Sequence, residues 1–304
     1  MKPLSVIVVG YNSPAEVDAL LESLAKLPSW ESMEVLVGEN GNQAIPAMAA
    51  ICERHGACFA SFPNPGFGTA CNRLAALATG ECLAFVNPDT LFQQDIFPPL
   101  VALCRQDPSV GACAPRISNL DGSDQISWND PMGLFWELME ATGLQTPWRQ
   151  RMIRKRSLAS PHGPWTVGFS SGACLVVPAS VFREIGGFDE EFFLNYEDIE
   201  LCDRIRATGR SVQVLPELRI FHHNSVIQGR DLSGFVHHRL QAKWLYLRKH
   251  YPRPQRWLAM LLWWFQALLR LGAGCLLLKG SERTRLPGYL AACLERFRKR
   301  TVTR

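Results

Sequence analysis

From residue 4 to residue 86 the chain alternates short β-branched or apolar runs with stretches of helical periodicity. Leu4–Val9 is a run of strand length closed by Gly10, and Val17, Leu20, Leu21, Leu24 and Leu27 then recur at the spacing that lines one face of a helix over 14–27. The same alternation predicts a strand over 33–37, a helix over 44–54, a strand over 58–62, a helix over 68–78 and a strand over 82–86. Strands separated by helices with short links line up as a mostly parallel α/β sheet flanked by helices. Such sheets hold ligands in the crevice outside the carboxyl ends of their strands, so the polar residues just after each strand are the ones to inspect.

Regularity is lost over 116–165, which contains Trp128, Trp136, Trp148 and the basic run Arg149, Arg151, Arg154, Lys155, Arg156 and reads as a long, partly helical insertion. It returns with a strand over 173–177, a helix start at 178–180, a loop over 186–189, a helix over 197–208 and strands over 212–215 and 218–221. A helix near 233–250 follows. Charge divides at that point: residues 239–304 hold 15 Lys/Arg and only Glu282 and Glu295, against 17 basic and 26 acidic residues upstream. A tail of this kind meets an anionic surface, lipid or nucleic acid.

Trp257 to Leu278 is apolar except for Gln266 and Arg270. A spanning helix needs roughly 20 apolar residues and a central Arg costs a few kcal/mol, which disfavours spanning. Trp257, Trp263 and Trp264 with Arg253, Arg256, Lys279, Arg283 and Arg285 suit a helix lying among lipid headgroups. A hairpin packed on its own domain, or on a second subunit in a homodimer, is the other reading. The ten cysteines show no C-x-x-C pair, and the N-terminal run is too short for a signal peptide, which together fit a reducing cytoplasm.

Several strand-end loops carry candidate chemistry. Asp89, in Asn87-Pro88-Asp89 after the strand over 82–86, is placed to hold a hard cation, which binds through one or two carboxylates and completes its shell with substrate phosphates; the tripeptide also makes plain turns. Glu197-Asp198-Ile199-Glu200 puts three carboxylates at a helix start beside Phe192 and Phe193. There they either stabilise the helix dipole or, held against aromatic groups, act as a general base toward a hydroxyl. Glu200 is spaced to pair with Arg204. His222 and His223 are structural or a metal or phosphate contact, and His237 and His238 have no role assigned. Tyr11 and Asn12, with Glu39 and Asn40, are placed to cradle a base and ribose, or to make turns. Gly66 and Gly68 allow close backbone approach to a ligand. Neither a G-x-G-x-x-G order nor a P-loop lysine is present.

In order and spacing these pieces resemble glycosyltransferase family 2, particularly its bacterial rhamnosyltransferase-like branch, over Leu4 to about Ser225. Ser5–Asn12 resembles the family's opening strand and nucleotide loop, and Val37–Asn42 its V-D-N-x-S segment with Glu39 in place of Asp. Asn64–Arg73 is similar to its N-x-G-F segment, and Phe85–Thr90 to its metal motif with Asn87 in place of the first Asp. Ser171-Gly172-Ala173, Gly186–Phe193 and Glu197–Arg204 resemble the acceptor side.

The resemblance implies a GT-A, Rossmann-like catalytic domain over 1–232, with a nucleotide-sugar half to about 115 and an acceptor half to about 232; the helical segment over 233–304 matches only in its basic, apolar character. It implies Asp198 as general base with Glu197 in the catalytic set, and Mg²⁺ or Mn²⁺ at Asp89 with His222 approaching it. Tyr11, Asn12, Glu39, Asn40, Gly66, Asn72, Arg73, Asn87, Asp89 and Gly172 become contacts to a nucleoside-diphosphate sugar. The expected enzyme inverts the sugar in one displacement, acts on a glycan or lipid-linked acceptor in cell-surface polysaccharide synthesis, and rests on the inner face of the cytoplasmic membrane through 239–300. Rival readings are a non-catalytic sugar-nucleotide-binding protein, a nucleic-acid-binding protein using the basic tail, and a nucleotidyltransferase. No recognised nucleic-acid module supports the second, so nucleic acid is not an expected partner, and the third would want a Lys/Arg-bearing Gly-rich loop after its first strand.

Overall fold

The computed structural model describes residues 2–125, 127–159, 163–223 and 232–277. They fall into two compact units, one of Met1–Pro131, Ile153–Phe193 and Glu197–Asn224, the other of Met132–Met152, Leu194–Tyr196 and Ser225–Arg304.

The first unit is built on a nine-stranded sheet. Its opening half is the expected alternation: β1 (Leu4–Gly10), α1 (Pro14–Ala25), β2 (Met33–Glu39), α2 (Ile45–His55), β3 (Cys58–Ser61), α3 (Phe67–Ala75) and β4 (Cys82–Val86). Every residue of β1 and β4 is buried, because helices cover both faces of a parallel sheet, and this is why these strands read as unbroken apolar runs. Val17, Leu20, Leu21 and Leu24 form the buried face of α1, and Pro14 occupies its first turn, where a missing N–H costs nothing.

Next come β5 (Thr90–Leu91), α4 (Phe97–Gln106), β6 (Val110–Ser118), β7 (Trp128–Asn129), α5 (Leu134–Thr142) and α6 (Gln145–Ala159). The chain continues through β8 (Trp165–Val167), β9 (Phe169–Ser170), β10 (Cys174–Pro178), α7 (Ala179–Glu184), α8 (Glu197–Ala207) and β11 (Ser211–His222). The sheet order is β3-β2-β1-β4-β10-β6-β11-β5, with β8 also on β11 and β7 paired to β9 apart. Pairs β1/β2, β1/β4, β2/β3 and β6/β11 are parallel, while β10 enters antiparallel between β4 and β6.

Two features differ from the expected elements. The strand expected in two pieces over 212–215 and 218–221 is one strand with a register shift between Leu215 and Arg219, where Pro216 supplies no N–H to the ladder. Helix α4 and strand β6 carry Pro98, Pro99 and Pro115, breaker signals that hide two elements of the sheet layer from periodicity alone.

The second unit holds α5, the start of α6, α9 (Leu232–His250) and α10 (Arg253–Leu277). Helix α10 packs along α5, burying Ala259, Met260 and Gln266, and the Gln266 amide donates to the Glu140 carbonyl at 2.7 Å. Beneath them Lys243 lies between Glu137 and Glu140, 2.7 Å from each, with Lys243 and Glu137 nearly inaccessible. The packed-hairpin reading of this segment is therefore met on one face. The opposite face of α10 exposes Trp257, Leu258, Leu261 and Phe265, and Phe135 and Leu138 on α5, Leu144 in the turn after it and Trp148 on α6 are also exposed. Among the described residues no helix is long and apolar enough to cross a membrane. Residue 278 and the basic residues Lys279, Arg283 and Arg285 lie outside the described residues.

Candidate active site

The reversal of strand order in the opening half falls at β1, flanked by β2 and β4, so a crevice opens beyond their carboxyl ends. Glu39, the last residue of β2, is fully buried. Its Oε1 accepts from the backbone N–H of Asn12 (2.8 Å) and of Gly41 (2.5 Å), while Oε2 has no partner. The extra methylene relative to Asp thus lets one oxygen tie the β1 and β2 loops together and leaves the other for an incoming donor. Asn12 takes a left-handed conformation (φ 51°) and accepts from Gln43 N–H, with Tyr11 half-exposed beside it. Asn40 donates its amide to the Gly66 carbonyl at 3.2 Å and keeps a buried, unpartnered Oδ1. Buried polar atoms left unpaired cost about 1–3 kcal/mol each, so Glu39 Oε2 and Asn40 Oδ1 are each open to the N–H or O–H of a water or a ligand.

Gly66 is required by space as well as by its φ of 100°: a Cβ there would stand 2.8 Å from the Phe193 carbonyl, to which Phe67 N–H also donates at 2.9 Å. Asn72 clasps the 187–190 loop, accepting from Phe188 N–H at 2.8 Å and donating to the Phe188 carbonyl at 2.9 Å and to Glu190 at 3.2 Å. Arg73 is exposed, its guanidinium over the Phe62 ring. The Asn72 side chain is therefore engaged in holding the 187–190 loop.

At the end of β4, Asp89 Oδ1 lies 3.0 Å from His222 Nε2, with the Asn87 amide 3.3 Å from the same nitrogen. His222 ends β11, where it pairs with Thr90, and His223 N–H donates to the Asp89 carbonyl. The 3.0 Å separation is the edge that two neighbouring ligands about 2.1 Å from an octahedral ion would span, so the oxygen–imidazole pair fits Mg²⁺ or Mn²⁺. No group of three or more His, Cys, Asp or Glu side chains able to hold a metal occurs among the described residues. Phosphate and water oxygens would have to supply the remaining positions.

The two acids are joined through one short strand entry. Asn87 N–H donates to the Ala173 carbonyl at 3.1 Å, and the preceding residue, Gly172, donates its N–H to Asp198 Oδ2 at 2.9 Å. Because β10 begins there and runs antiparallel to β4 (Cys174 opposite Val86), Asp89 and Asp198 reach the same sheet edge from segments more than a hundred residues apart. Asp198 Oδ1 also accepts from Ile199 N–H at 2.8 Å. Directly before α8, Asn195 and Tyr196 both have φ near +70°, a strained pair of the sort that gathers at working sites. Glu200 pairs with Arg204 in two-pronged fashion, as their spacing predicts, and so turns away from this edge.

Burial raises the carboxyls of both Glu197 and Asp198; Glu197, further opposed by the Asp198 charge, is pushed up to about 8. Its Oε2 has no hydrogen-bond partner. A folded-state value above the ordinary 4.5 means the fold favours the protonated form and is progressively penalised as pH rises from about 4.5 through about 8. Glu197→Gln, uncharged throughout, is therefore expected to gain stability relative to the parent between pH 5 and pH 9, on the order of a few kcal/mol, read from denaturant midpoints. A difference that stays flat over that interval would mean the carboxyl is ionised inside the fold.

Comparison with known proteins bears on the family and the fold. The chain is 26% identical over 305 residues to the N-acetylglucosaminyl-diphospho-decaprenol L-rhamnosyltransferase of Mycobacterium tuberculosis, covering 93% of this chain and 95% of that protein. Its fold is similar to that of the mannosyltransferase PcManGT from Pyrobaculum calidifontis in complex with GDP-Man and Mn²⁺ (TM-score 0.56, 16% identity, 99% of this chain and 83% of that one). It is also similar to S. aureus TarS 1–349 in complex with UDP (TM-score 0.53, 15% identity, 93% and 77%). These are the mixed, mostly parallel sheets of the GT-A fold. The model of Glycosyl transferase family 2 matches residues 5–186, which includes the crevice loops and Asp89 and stops short of Asp198 and His222. With more than half its length matched and its strand-end loops in the family's order, the chain belongs to glycosyl transferase family 2, enzymes that transfer a sugar from a nucleotide donor.

Proposed function

We propose that the chain is an inverting, metal-dependent enzyme that moves a sugar from a nucleoside diphosphate to a glycan or lipid-linked acceptor used in cell-surface polysaccharide synthesis. The observation that supports this reading is the hydrogen-bonded path from Asn87 through Ala173 and Gly172 to Asp198, at the sheet edge where Asp89 also follows its strand. In this reading Tyr11, Asn12, Glu39 and Asn40 receive the base and ribose, with Glu39 Oε2 accepting a base N–H or ribose hydroxyl. Asp89 and His222 would hold the cation, which supplies charge neutralisation for the departing diphosphate when bound. Gly172 N–H and Ile199 N–H orient the Asp198 carboxylate, and Asp198 takes the proton of the acceptor hydroxyl as that oxygen attacks the anomeric carbon. One displacement inverts the anomeric centre. Glu197, held protonated by burial, offers an O–H to the acceptor or to the sugar.

The name of the M. tuberculosis relative makes a rhamnosyl donor and a glycan on a polyprenyl diphosphate the first pair to try. The test is a screen of nucleoside-diphosphate sugars for Mn²⁺-dependent thermal stabilisation, followed by transfer assays. A ligand at 100 times its Kd should add about 2.7 kcal/mol, and a screen in which no nucleotide sugar stabilises the chain with metal would overturn the donor site.

The exposed face of α10 with Trp257, Leu258, Leu261 and Phe265 supports contact with the inner leaflet, Arg253 flanking it as a partner for anionic headgroups. Replacing Trp257 and Leu261 together by Glu is expected to cut co-flotation with phosphatidylglycerol vesicles at least tenfold, given roughly 1.5–3 kcal/mol per inserted apolar side chain. Unchanged flotation, with a monomer–dimer shift in sedimentation instead, would give this face to a second copy of the chain.

A further inference from the structure

His222 faces two hydrogen-bond acceptors, the Asp89 carboxylate at Nε2 and the Gln125 side-chain oxygen at Nδ1, 3.1 Å away. A neutral imidazole has one proton to give. If it goes to Nε2, the ring donates to Asp89 and has no lone pair for a cation; if it goes to Nδ1, Nε2 and the carboxylate both face the site as electron-pair donors. Asp89 pulls the proton to Nε2, against which the Asn87 amide, 3.3 Å from the same nitrogen, offers an N–H, and a further group must oppose it from the Nδ1 side.

The opposing group is built into the hairpin after β6. Gln125 Nε2 lies 2.5 Å from the His222 carbonyl and 2.7 Å from Asn119 Oδ1. Both partners are acceptors, so the amide nitrogen must point at them and the amide oxygen at His222 Nδ1. Asn119 is oriented in turn: its Nδ2 donates to Ser123 Oγ at 2.8 Å, and Ser123 Oγ donates to Asp121 Oδ1 at 2.6 Å. Asp121, an ionised carboxylate held low by the Ser123 hydroxyl and N–H, only accepts. Every bond from Asp121 through Ser123, Asn119 and Gln125 to the imidazole therefore has one permitted direction. The hairpin itself is closed by backbone bonds from Asn119 N–H to Ser123, Gly122 N–H to Asn119 and Gln125 N–H to Ile117.

We infer that Gln125 is a positioning residue for the metal site: it holds the His222 proton on Nδ1 and keeps Nε2 free to face a cation beside Asp89. This rests on the reading of Asp89 and His222 as cation ligands, and it adds a residue from the insertion that no strand-end motif marks. Partners of this kind, which fix a histidine's tautomer from behind, typically change metal affinity 10–100-fold when removed.

The test uses metal-free, ¹⁵N-histidine-labelled full chain. In two-bond ¹H–¹⁵N spectra at pH 8, His222 should show the Nδ1–H pattern in the parent. Gln125→Ala should move it toward the Nε2–H pattern and weaken Mn²⁺ binding 10–100-fold, measured by electron paramagnetic resonance in the presence of UDP. A parent spectrum with the proton on Nε2 overturns the inference without any variant. An unchanged tautomer or unchanged Mn²⁺ affinity in Gln125→Ala also overturns it. A parent that shows Nδ1–H yet binds no Mn²⁺ with UDP would instead remove the metal reading on which it stands.

Discussion

Asp198→Asn is expected to lower turnover by about 10²–10⁴-fold while leaving metal-dependent donor stabilisation within a few-fold of the parent. The substitution keeps the size of the side chain and one of the two oxygens that accept from Gly172 N–H (at Oδ2) and Ile199 N–H (at Oδ1), so one of these bonds is kept, and unchanged donor stabilisation reports that the entry to β10 and the start of α8 hold their places. What is lost is the ability to take a proton. In the parent, burial raises the Asp198 carboxyl, so the acid limb of the kcat/KM profile should stand above the ordinary aspartate range, with activity falling as pH drops through it. Residual activity of the variant should lack that limb. Transfer that stays fast, with the limb intact, would move the base to another group, with the buried Glu197 next to be replaced.

The opening of the sheet was legible because its physics is local. Strands covered on both faces must be apolar throughout, and helices lying on one face of the sheet bury one stripe, so β1 to β4 and their helices stand out by pattern. The polar residues ending those strands were legible for the same reason. Other parts depend on contacts distant in sequence. Pro216 splits the pattern of β11 although the strand continues past it, and four polar residues in an ordinary-looking turn become a directional chain only when Gln125 meets a histidine 97 residues away. Lys243 reads as one more cation in a basic tail until Glu137 and Glu140 close on it. Burying such a pair is costly, and removing one partner would cost about 3–5 kcal/mol, an arrangement that spacing along a helix gives no hint of.

Asp89→Ala should abolish the stabilisation that Mn²⁺ and a nucleoside diphosphate give together, and reduce turnover by about 10³-fold or more, since several kcal/mol of transition-state charge stabilisation go with the cation. The single carboxylate makes a sharper expectation. With the neutral Asn87 amide beside Asp89, one negative charge and one imidazole face the ion, a set too weakly charged to strip a hard cation of its water unaided. Metal alone should therefore bind weakly, diphosphate alone weakly, and each should tighten the other by the same factor. Titrating Mn²⁺ with and without UDP measures that factor. Asn87→Asp, by adding a second charge, should raise the affinity for metal alone and shrink the coupling. If Asp89→Ala still shows the full coupling, the cation is held elsewhere, and the carboxyl end of β4 is a turn rather than a metal site.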